Sequence, residues 1–211
     1  NQGIEDGAAR TYHQLGTIAE EQRDFATARE WYLKSLAIEE KQGNLDGAAI
    51  TYHQLGKLAQ EQREFATARE WCLKSLAIKE KQDNLDGAAM SYNQLGTIAQ
   101  EQRDYARARE WYLKALAIDE KQGNLQGAAM TYCNLGVLAG EQGSFEDSGR
   151  WLTRSIAAFL RAHDQHRAEQ GAKNFLLFHQ QASPEDKQKL EAIWREAELG
   201  AFPTEPPPST S

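Results

Sequence analysis

Apolar residues along this chain recur at helical spacing, in a pattern that returns every forty residues. In one period, Tyr52, Leu55 and Ala59 share one face of a helix, and Phe65 and Ala68 share a face of a second helix. A short polar segment, Gln-Arg-Glu, separates the two series, and it is long enough for a tight turn between helices. Each period therefore predicts an antiparallel pair of helices.

The periods are close copies of one another. About 28 of 40 positions agree between residues 41–80 and residues 81–120. Internal repetition with a period of 20–50 residues indicates a solenoid, in which each unit buries its apolar face against its neighbours. We therefore predict an all-α fold: a right-handed α-solenoid, or superhelix, built from antiparallel helix pairs.

Small residues recur where the two helices of a pair must touch. Gly56 and Ala59 on the first helix, and Ala68 on the second, have counterparts at the same places in the other periods. A glycine inside a helix costs about 1 kcal/mol relative to alanine. The return of this glycine every forty residues therefore predicts a packing requirement.

We call the residues at one position of successive periods a column. These columns resemble the pattern of the tetratricopeptide repeat. The family pattern of an aromatic, two residues and Leu-Gly is met at Tyr12-His-Gln-Leu15-Gly16, and the later Ala-x-x-x-aromatic pattern at Ala28–Tyr32. The chain departs from the family in its period of 40 rather than 34 and in lacking the proline that usually ends the second helix. In this it is similar to the extended repeats of kinesin light chains, spindle-orientation adaptors and the sensor arms of bacterial signalling ATPases.

The repeats lose their regularity toward the C-terminus. Residues 1–160 are predicted to form four tandem repeats, and residues 161–200 a degenerate fifth helix pair that caps the array. Ser183-Pro184-Glu185-Asp186 supplies an N-cap, a proline in the first turn and acidic first-turn residues, so it predicts the start of the last helix. Residues 201–211 are rich in proline and are predicted to form a disordered tail.

Charge and composition narrow the classes of partner. The net charge is −7 and the basic residues have acidic neighbours, so we expect no binding of nucleic acid. The sequence shows no signal segment and no apolar run that would span a membrane, so we expect no membrane association. Cys72 and Cys133 each replace another residue in their columns, which indicates reduced thiols and a cytoplasmic location.

The sequence carries no recognisable catalytic or cofactor motif. A Gly-rich phosphate loop, a Ser/His/Asp order and a CxxC motif are all lacking. His13 and His53 share a column, but stacked helices hold equivalent residues roughly 10 Å apart, too far for one metal ion. We therefore expect no enzyme activity, no cofactor and no metal site.

The resemblance to tetratricopeptide repeats implies a binding groove, because the first helices of such arrays line the concave face. One position of the repeat carries a side-chain amide each time, and we call this set the amide column: Gln14, Gln54, Gln94, Asn134 and Asn174. These amides can donate to and accept from the backbone of an extended peptide, unless they bond instead to a neighbouring helix or to water. The groove residues implied in this way are Arg10, His13, Gln14, Thr17, Ile50, His53, Gln54, Lys57, Met90, Asn93, Gln94, Thr97, Met130, Asn134 and Asn174.

The expected partner is a protein or an extended peptide. Two alternatives stay open. The array is the sensor or autoinhibitory arm of a larger bacterial signalling protein, or it is a self-associating scaffold. In the second case the apolar face of the first helix, residues 5–21, pairs with another copy to give a homo-oligomer. Arg10 and Lys57 lie in separate repeats and have acidic neighbours, which disfavours a clamp for a C-terminal carboxylate.

Overall fold

A computed structural model describes residues 2–203 of the chain and the side chains of residues 7–203. The described residues form ten α-helices and no strand, and the all-α prediction is confirmed. The chain divides into two compact units, residues 1–102 with α1–α5 and residues 103–211 with α6–α10. The helices are α1 (Gln2–Glu21), α2 (Phe25–Gln42), α3 (Leu45–Glu61), α4 (Phe65–Lys81), α5 (Leu85–Glu101), α6 (Tyr105–Gln122), α7 (Leu125–Glu141), α8 (Phe145–Arg161), α9 (Gln165–Gln181) and α10 (Pro184–Glu196).

Local signals in the sequence start and end the helices. The side chain of Asn44 accepts a hydrogen bond from the backbone N–H of Gly47 at 3.1 Å, and Asn84 caps α5 in the same way. At the end of α2, Gly43 adopts a left-handed backbone with φ of 67°, which a residue without a Cβ does at little cost. These caps reproduce the forty-residue period as alternating helices and short turns.

The two helices of a pair meet at the Leu-Gly glycine. A Cβ added at Gly16 would lie 2.6 Å from the ring of Tyr32, and one added at Gly56 would lie 2.6 Å from Sγ of Cys72. Tyr32 and Cys72 are fully buried. Gly136 in the second unit stands equally close to a side chain of α8. The prediction that this glycine meets a packing requirement is confirmed.

Aromatic stacks cover each helix pair on the side of the second helix. Tyr12 stacks on Trp31 with ring centroids 5.4 Å apart, and Tyr52 stacks on Trp71 at the same distance. The ammonium nitrogen of Lys34 lies 4.1 Å from the centroid of the Trp31 ring. Such cation–π contacts contribute about 0.5–1 kcal/mol at exposed sites. The stack therefore joins the two helices of one repeat.

Successive repeats are joined by a tyrosine–glutamate hydrogen bond. The hydroxyl of Tyr52 donates to the carboxylate of Glu40 in the preceding repeat. In the second unit, Tyr132 donates to Glu120 at 2.5 Å. Burial, and then this bond, raises the pKa of Tyr52 and of Tyr132 to about 12. The hydroxyls therefore remain donors at neutral pH.

Charged residues are buried where one repeat meets the next. Glu39, Lys79 and Asp119 occupy equivalent places near the ends of α2, α4 and α6, and they are 5%, 7% and 2% exposed. Nζ of Lys79 lies 3.4 Å from Oγ of Ser91. Burial lowers the pKa of Lys79, because the ammonium form loses its hydration there. The joints between repeats thus carry buried charges that change sign from one repeat to the next.

Helix α10 packs on α8 and α9 and encloses the end of the second unit. The rings of Phe175 and Trp194 meet edge to face with centroids 5.0 Å apart, and Phe202 packs 5.8 Å from Trp194. Nε1 of Trp194 also donates to the carbonyl oxygen of Gly200 at 3.2 Å. Phe202, in the segment predicted to form a disordered tail, thus packs against rings of the last two helices. Residues 204–211 lie outside the described residues, and the tail at residues 201–211 and the cap at residues 161–200 stay predictions.

We expect Gly16→Ala to destabilise the protein by about 1–3 kcal/mol, because the new methyl group would overlap the buried ring of Tyr32. The matched control is Gly7→Ala, since no described atom lies within 4 Å of its added Cβ. That variant should gain about 0.5–1 kcal/mol from helix propensity. Urea denaturation followed by circular dichroism measures both values. Equal effects of the two substitutions would contradict the packing role of Gly16.

We expect Lys79→Met to stabilise the protein by about 1 kcal/mol at pH 7, because it removes a buried charge and keeps the volume of the stem. Burial lowers the pKa of Lys79 in the folded protein below its unfolded value of 10.5, so the cost of burying the ammonium group is present at any pH below the folded pKa. That cost is lost as the pH rises through the folded pKa toward 10.5. The advantage of the variant should therefore shrink at alkaline pH. Lys81→Met, at an exposed site on α4, is the control in the same denaturation series. A less stable Lys79→Met variant would show that the ammonium group is needed.

Candidate functional site

A cavity of about 690 Å³ opens between α1, the end of α2 and the start of α3 in the first unit. Four of the predicted groove residues line it: Arg10, His13, Gln14 and Ile50. Three of these come from the first helix of one repeat, and Ile50 comes from the first helix of the next. The structure thus brings these residues together at a joint between repeats.

The same cavity is lined by residues that the sequence did not single out. Glu39 and Gln42 lie one turn apart near the end of α2, and Asn44 follows in the turn to α3. Oε1 of Glu39 accepts a hydrogen bond from Oγ of Ser35 at 3.1 Å, whereas Oε2 is buried without a hydrogen-bond partner. Both side-chain amide atoms of Gln42 are also buried without a partner. The cavity therefore presents three unsatisfied polar atoms.

A signal for this site was present in the sequence. Glu39 and its counterparts Lys79 and Asp119 differ in charge although their repeats are otherwise close copies. When one position changes charge between otherwise similar repeats, the contacts between successive repeats differ in charge at that position. Lys79 lies beside Ser91, and Asp119 accepts a hydrogen bond from Asn124 at 2.8 Å.

His53 differs from His13 in its hydrogen bonding, although the two share a column. Nδ1 of His13 lies 3.2 Å from Oγ1 of Thr51. Nδ1 of His53 is buried and has no hydrogen-bond partner. Burial, followed by the positive charges of Lys79 and Lys57, lowers the pKa of His53 to about 4. This imidazole is therefore neutral at physiological pH.

Lys57 lies in a second cavity of the first unit, of about 390 Å³, lined by charged and amide side chains that include Glu101. Its ammonium nitrogen is 3.7 Å from Oε1 of Glu20. Oε2 of Glu20 accepts a hydrogen bond from Tyr32 at 2.6 Å. The cationic charge of Lys57 thus has a carboxylate neighbour in the preceding repeat.

The predicted amide column is uneven in exposure. Gln14 is exposed, Gln54 is half-buried with its Oε1 enclosed, and Gln94 is 8% exposed. In the second unit, Nδ2 of Asn174 donates to Sγ of Cys133 at 3.6 Å. Gln14 is therefore accessible to solvent, whereas Gln94 is enclosed.

Other predicted groove residues divide into polar and apolar groups. Thr17 and Thr97 donate their hydroxyls to the carbonyl oxygens of His13 and Asn93, one turn back in the same helix. Asn134 in the second unit is half-buried. The threonine hydroxyls are thus engaged within their own helices.

The apolar groove residues are well exposed. Ile50 and Met90 in the first unit are 52% and 58% exposed, and Met130 in the second unit is 40% exposed. All three occupy one column of the repeat, on first helices. In the first unit this column supplies apolar surface beside the polar cavity.

The described residues offer no reactive or metal-binding centre. No three His, Cys, Asp or Glu side chains among them are placed to hold a metal ion. Burial raises the pKa of the Cys72 thiol to about 12 and also raises the pKa of Cys133, so neither thiol is a ready nucleophile. Across the described part of the chain, every helix falls short of the length and apolar character that crossing a membrane requires.

We expect the stability of the protein to fall in acid through His53, because its folded pKa of about 4 lies below the unfolded value of 6.5. Its neutral form stabilises the fold above pH 6.5, and that contribution is lost as the pH falls toward 4, by on the order of 2–3 kcal/mol. His53→Asn, which copies Asn93, should flatten this part of the pH profile in urea titrations. His13→Asn is the control, and an equal effect of the two substitutions would contradict the assignment to His53.

The chain was compared with known proteins at the level of sequence families and of structures. The family model for the tetratricopeptide repeat matches residues 7–81 and 87–161. No curated protein sequence matches the chain.

Solved structures share the fold. BtubC (BKLC) from P. vanneervenii is 21% identical with a TM-score of 0.76, covering 95% of this chain and 85% of that one. A signal transduction ATPase with numerous domains and a tetratricopeptide repeat sensor, from Pyrococcus horikoshii, is 18% identical with a TM-score of 0.77. The match covers 94% of this chain and 31% of that protein.

A kinesin light chain-like structure also matches. The putative kinesin light chain nearly identical TPR-like repeats from Podosopora anserina are 16% identical with a TM-score of 0.67, covering 90% of this chain and 93% of that one. At these identities the likeness concerns the fold. The repeat fold supports a protein-interaction or scaffold role, and such repeats are generally non-catalytic. With the family model matching most of its length, the chain belongs to the tetratricopeptide repeat family.

Proposed function

We propose that this chain is a non-catalytic, cytoplasmic interaction module that binds an extended peptide or partner segment along the first helices of its first unit, α1, α3 and α5. The observation that carries the proposal is the cavity of about 690 Å³ between successive first helices, lined by Arg10, His13, Gln14 and Ile50. It combines hydrogen-bonding groups with exposed apolar surface, which is the composition of a peptide-binding groove.

Each part of this surface has a role in holding an extended chain. The amide of Gln14 is exposed and both donates and accepts, so it suits a peptide backbone whatever its side chains. Ile50 and Met90 offer apolar surface at the same column of successive repeats. Burying one such side chain fully contributes about 1.5–3 kcal/mol, which is tenfold or more in affinity.

A sensor or autoinhibitory role in a larger protein uses the same surface. The structure from Pyrococcus horikoshii is described as having a tetratricopeptide repeat sensor, and this chain corresponds to 31% of that protein. In such an arrangement the partner segment belongs to the same polypeptide. The peptide-binding proposal therefore applies in two cases. The partner is a separate protein in the first case and a segment of the same polypeptide in the second.

Selection from a random peptide library displayed on phage tests the proposal with the full chain. We expect selected peptides to bind the protein as a monomer, and Ile50→Ser and Met90→Ser each to weaken binding about tenfold by fluorescence anisotropy. Both residues are exposed, so the substitutions should leave the melting temperature unchanged.

The matched control is Leu73→Ser, which removes a leucine that is 40% exposed from the second helix α4. It should leave peptide affinity unchanged. Light scattering across a wide concentration range accompanies the binding series. A library that yields no binder, or binders that Leu73→Ser weakens as much as Ile50→Ser, would overturn the proposal. A mass that grows with concentration and falls in Ile50→Ser would favour the self-associating scaffold.

A further inference from the structure

The joint between the first two repeats contains an unsatisfied carboxylate oxygen. Glu39 is 5% exposed, and its Oε2 has no hydrogen-bond partner among the described residues. Leaving a buried charged oxygen without a donor is unfavourable, because the oxygen loses its hydration and gains no bond in exchange. A ligand that brings N–H donors to this oxygen would recover that cost on binding. The carboxylate therefore favours a ligand that carries N–H donors over one that does not.

Gln42 adds to this preference from the next turn of α2. Its Oε1 and Nε2 are both buried without partners, and they line the same cavity as Glu39. Two buried acceptor oxygens, one of them on a carboxylate, thus belong to residues that line the cavity of about 690 Å³. An arginine guanidinium has five N–H donors in a planar fork, so it can bond both oxygens at once.

Among the described side chains that line the cavity, Arg10 and His13 make no bond to Glu39 and so differ from Ser35. Arg10 lines the cavity with an exposed side chain, and among the described residues no ion pair joins it to Glu39. His13 is engaged with Thr51 at 3.2 Å. Arg10 is then available to donate to a carbonyl oxygen of a bound peptide, while Ile50 supplies apolar surface on the same wall.

The equivalent joints elsewhere in the chain differ from this one. Lys79 brings a positive charge to the joint after the second repeat, and its ammonium lies beside Ser91. Asp119, at the joint after the third repeat, accepts a hydrogen bond from Asn124. The charged residue thus has different polar neighbours at each of the three joints: Ser35 beside Glu39, Ser91 beside Lys79 and Asn124 beside Asp119.

We propose that the cavity between α1, α2 and α3 is a subsite for a basic side chain, best met by arginine, of the peptide bound in the groove. This inference rests on the proposed peptide-binding function and adds the chemistry of one residue of the partner. The Glu39 carboxylate and the Gln42 amide oxygen accept from the basic group, and the ligand's neighbouring residues contact Ile50.

The test uses three libraries of blocked nonapeptides with randomised flanks and a fixed central residue: arginine, citrulline or glutamate. Citrulline has nearly the shape of arginine, but it is neutral and carries a carbonyl oxygen in place of one NH₂ group, so the comparison tests the charge together with the donors of that group. We expect the wild-type full chain to retain arginine peptides at least tenfold over citrulline peptides, and glutamate peptides least. Retained peptides are quantified by mass spectrometry.

Glu39→Gln should bring the ratio of arginine to citrulline retention to about one. Glu30→Gln, the same change at an exposed place on α2, should keep the wild-type ratio. Gln42→Met is the second variant, expected to lower the ratio severalfold while keeping the Glu39 carboxylate. Thermal melts establish that each variant is folded.

The outcomes separate this inference from the proposed function. Peptides retained without preference for arginine, or a preference that survives in Glu39→Gln, would overturn the subsite and leave the peptide groove standing. No retention from any of the three libraries would overturn the peptide groove and the subsite together.

Discussion

The close approach of a glycine to a side chain of the second helix is the contact on which each repeat depends. At Gly16 the missing Cβ lets the ring of Tyr32 lie against the backbone of α1. Because the ring crosses to α1 there, its hydroxyl reaches Glu20 at 2.6 Å. The same carboxylate lies 3.7 Å from Lys57 in the next repeat. The close packing of Gly16 against Tyr32 within one helix pair is thereby connected, through Glu20, to the contact with the next pair.

The repeats of this chain differ from one another at the joints between them. The tyrosine–glutamate bond recurs at Tyr52 and Tyr132 and joins pairs in the same way each time. Beside it, the buried column of Glu39, Lys79 and Asp119 changes charge from joint to joint. The recurring contacts join successive repeats in the same way, while the changing residue alters the buried charge from joint to joint.

Several features could be predicted because they depend on neighbours along the same helix. Period, turn and cap are local properties, so Asn44 and Gly43 mark the boundary between α2 and α3 already in the sequence. The groove residues at the first joint, such as Arg10 and Gln14, followed from the resemblance to tetratricopeptide repeats. Phe202 belongs to the proline-rich segment for which a disordered tail is predicted, and its packing against Trp194 is a tertiary contact that the sequence pattern does not contain.

The sequence by itself determined the helix pairs, their forty-residue period and the glycine at each close contact, because these follow from periodicity and side-chain size. Only the tertiary structure decided which polar groups are enclosed. Gln14 and Gln94 occupy the same column, yet one is exposed and the other is 8% exposed. Glu39 lies on an ordinary amphipathic helix, and it is the packing of α3 against α2 that buries its carboxylate. Burial is a property of the neighbours across a joint, and the spacing of residues along one helix does not contain it.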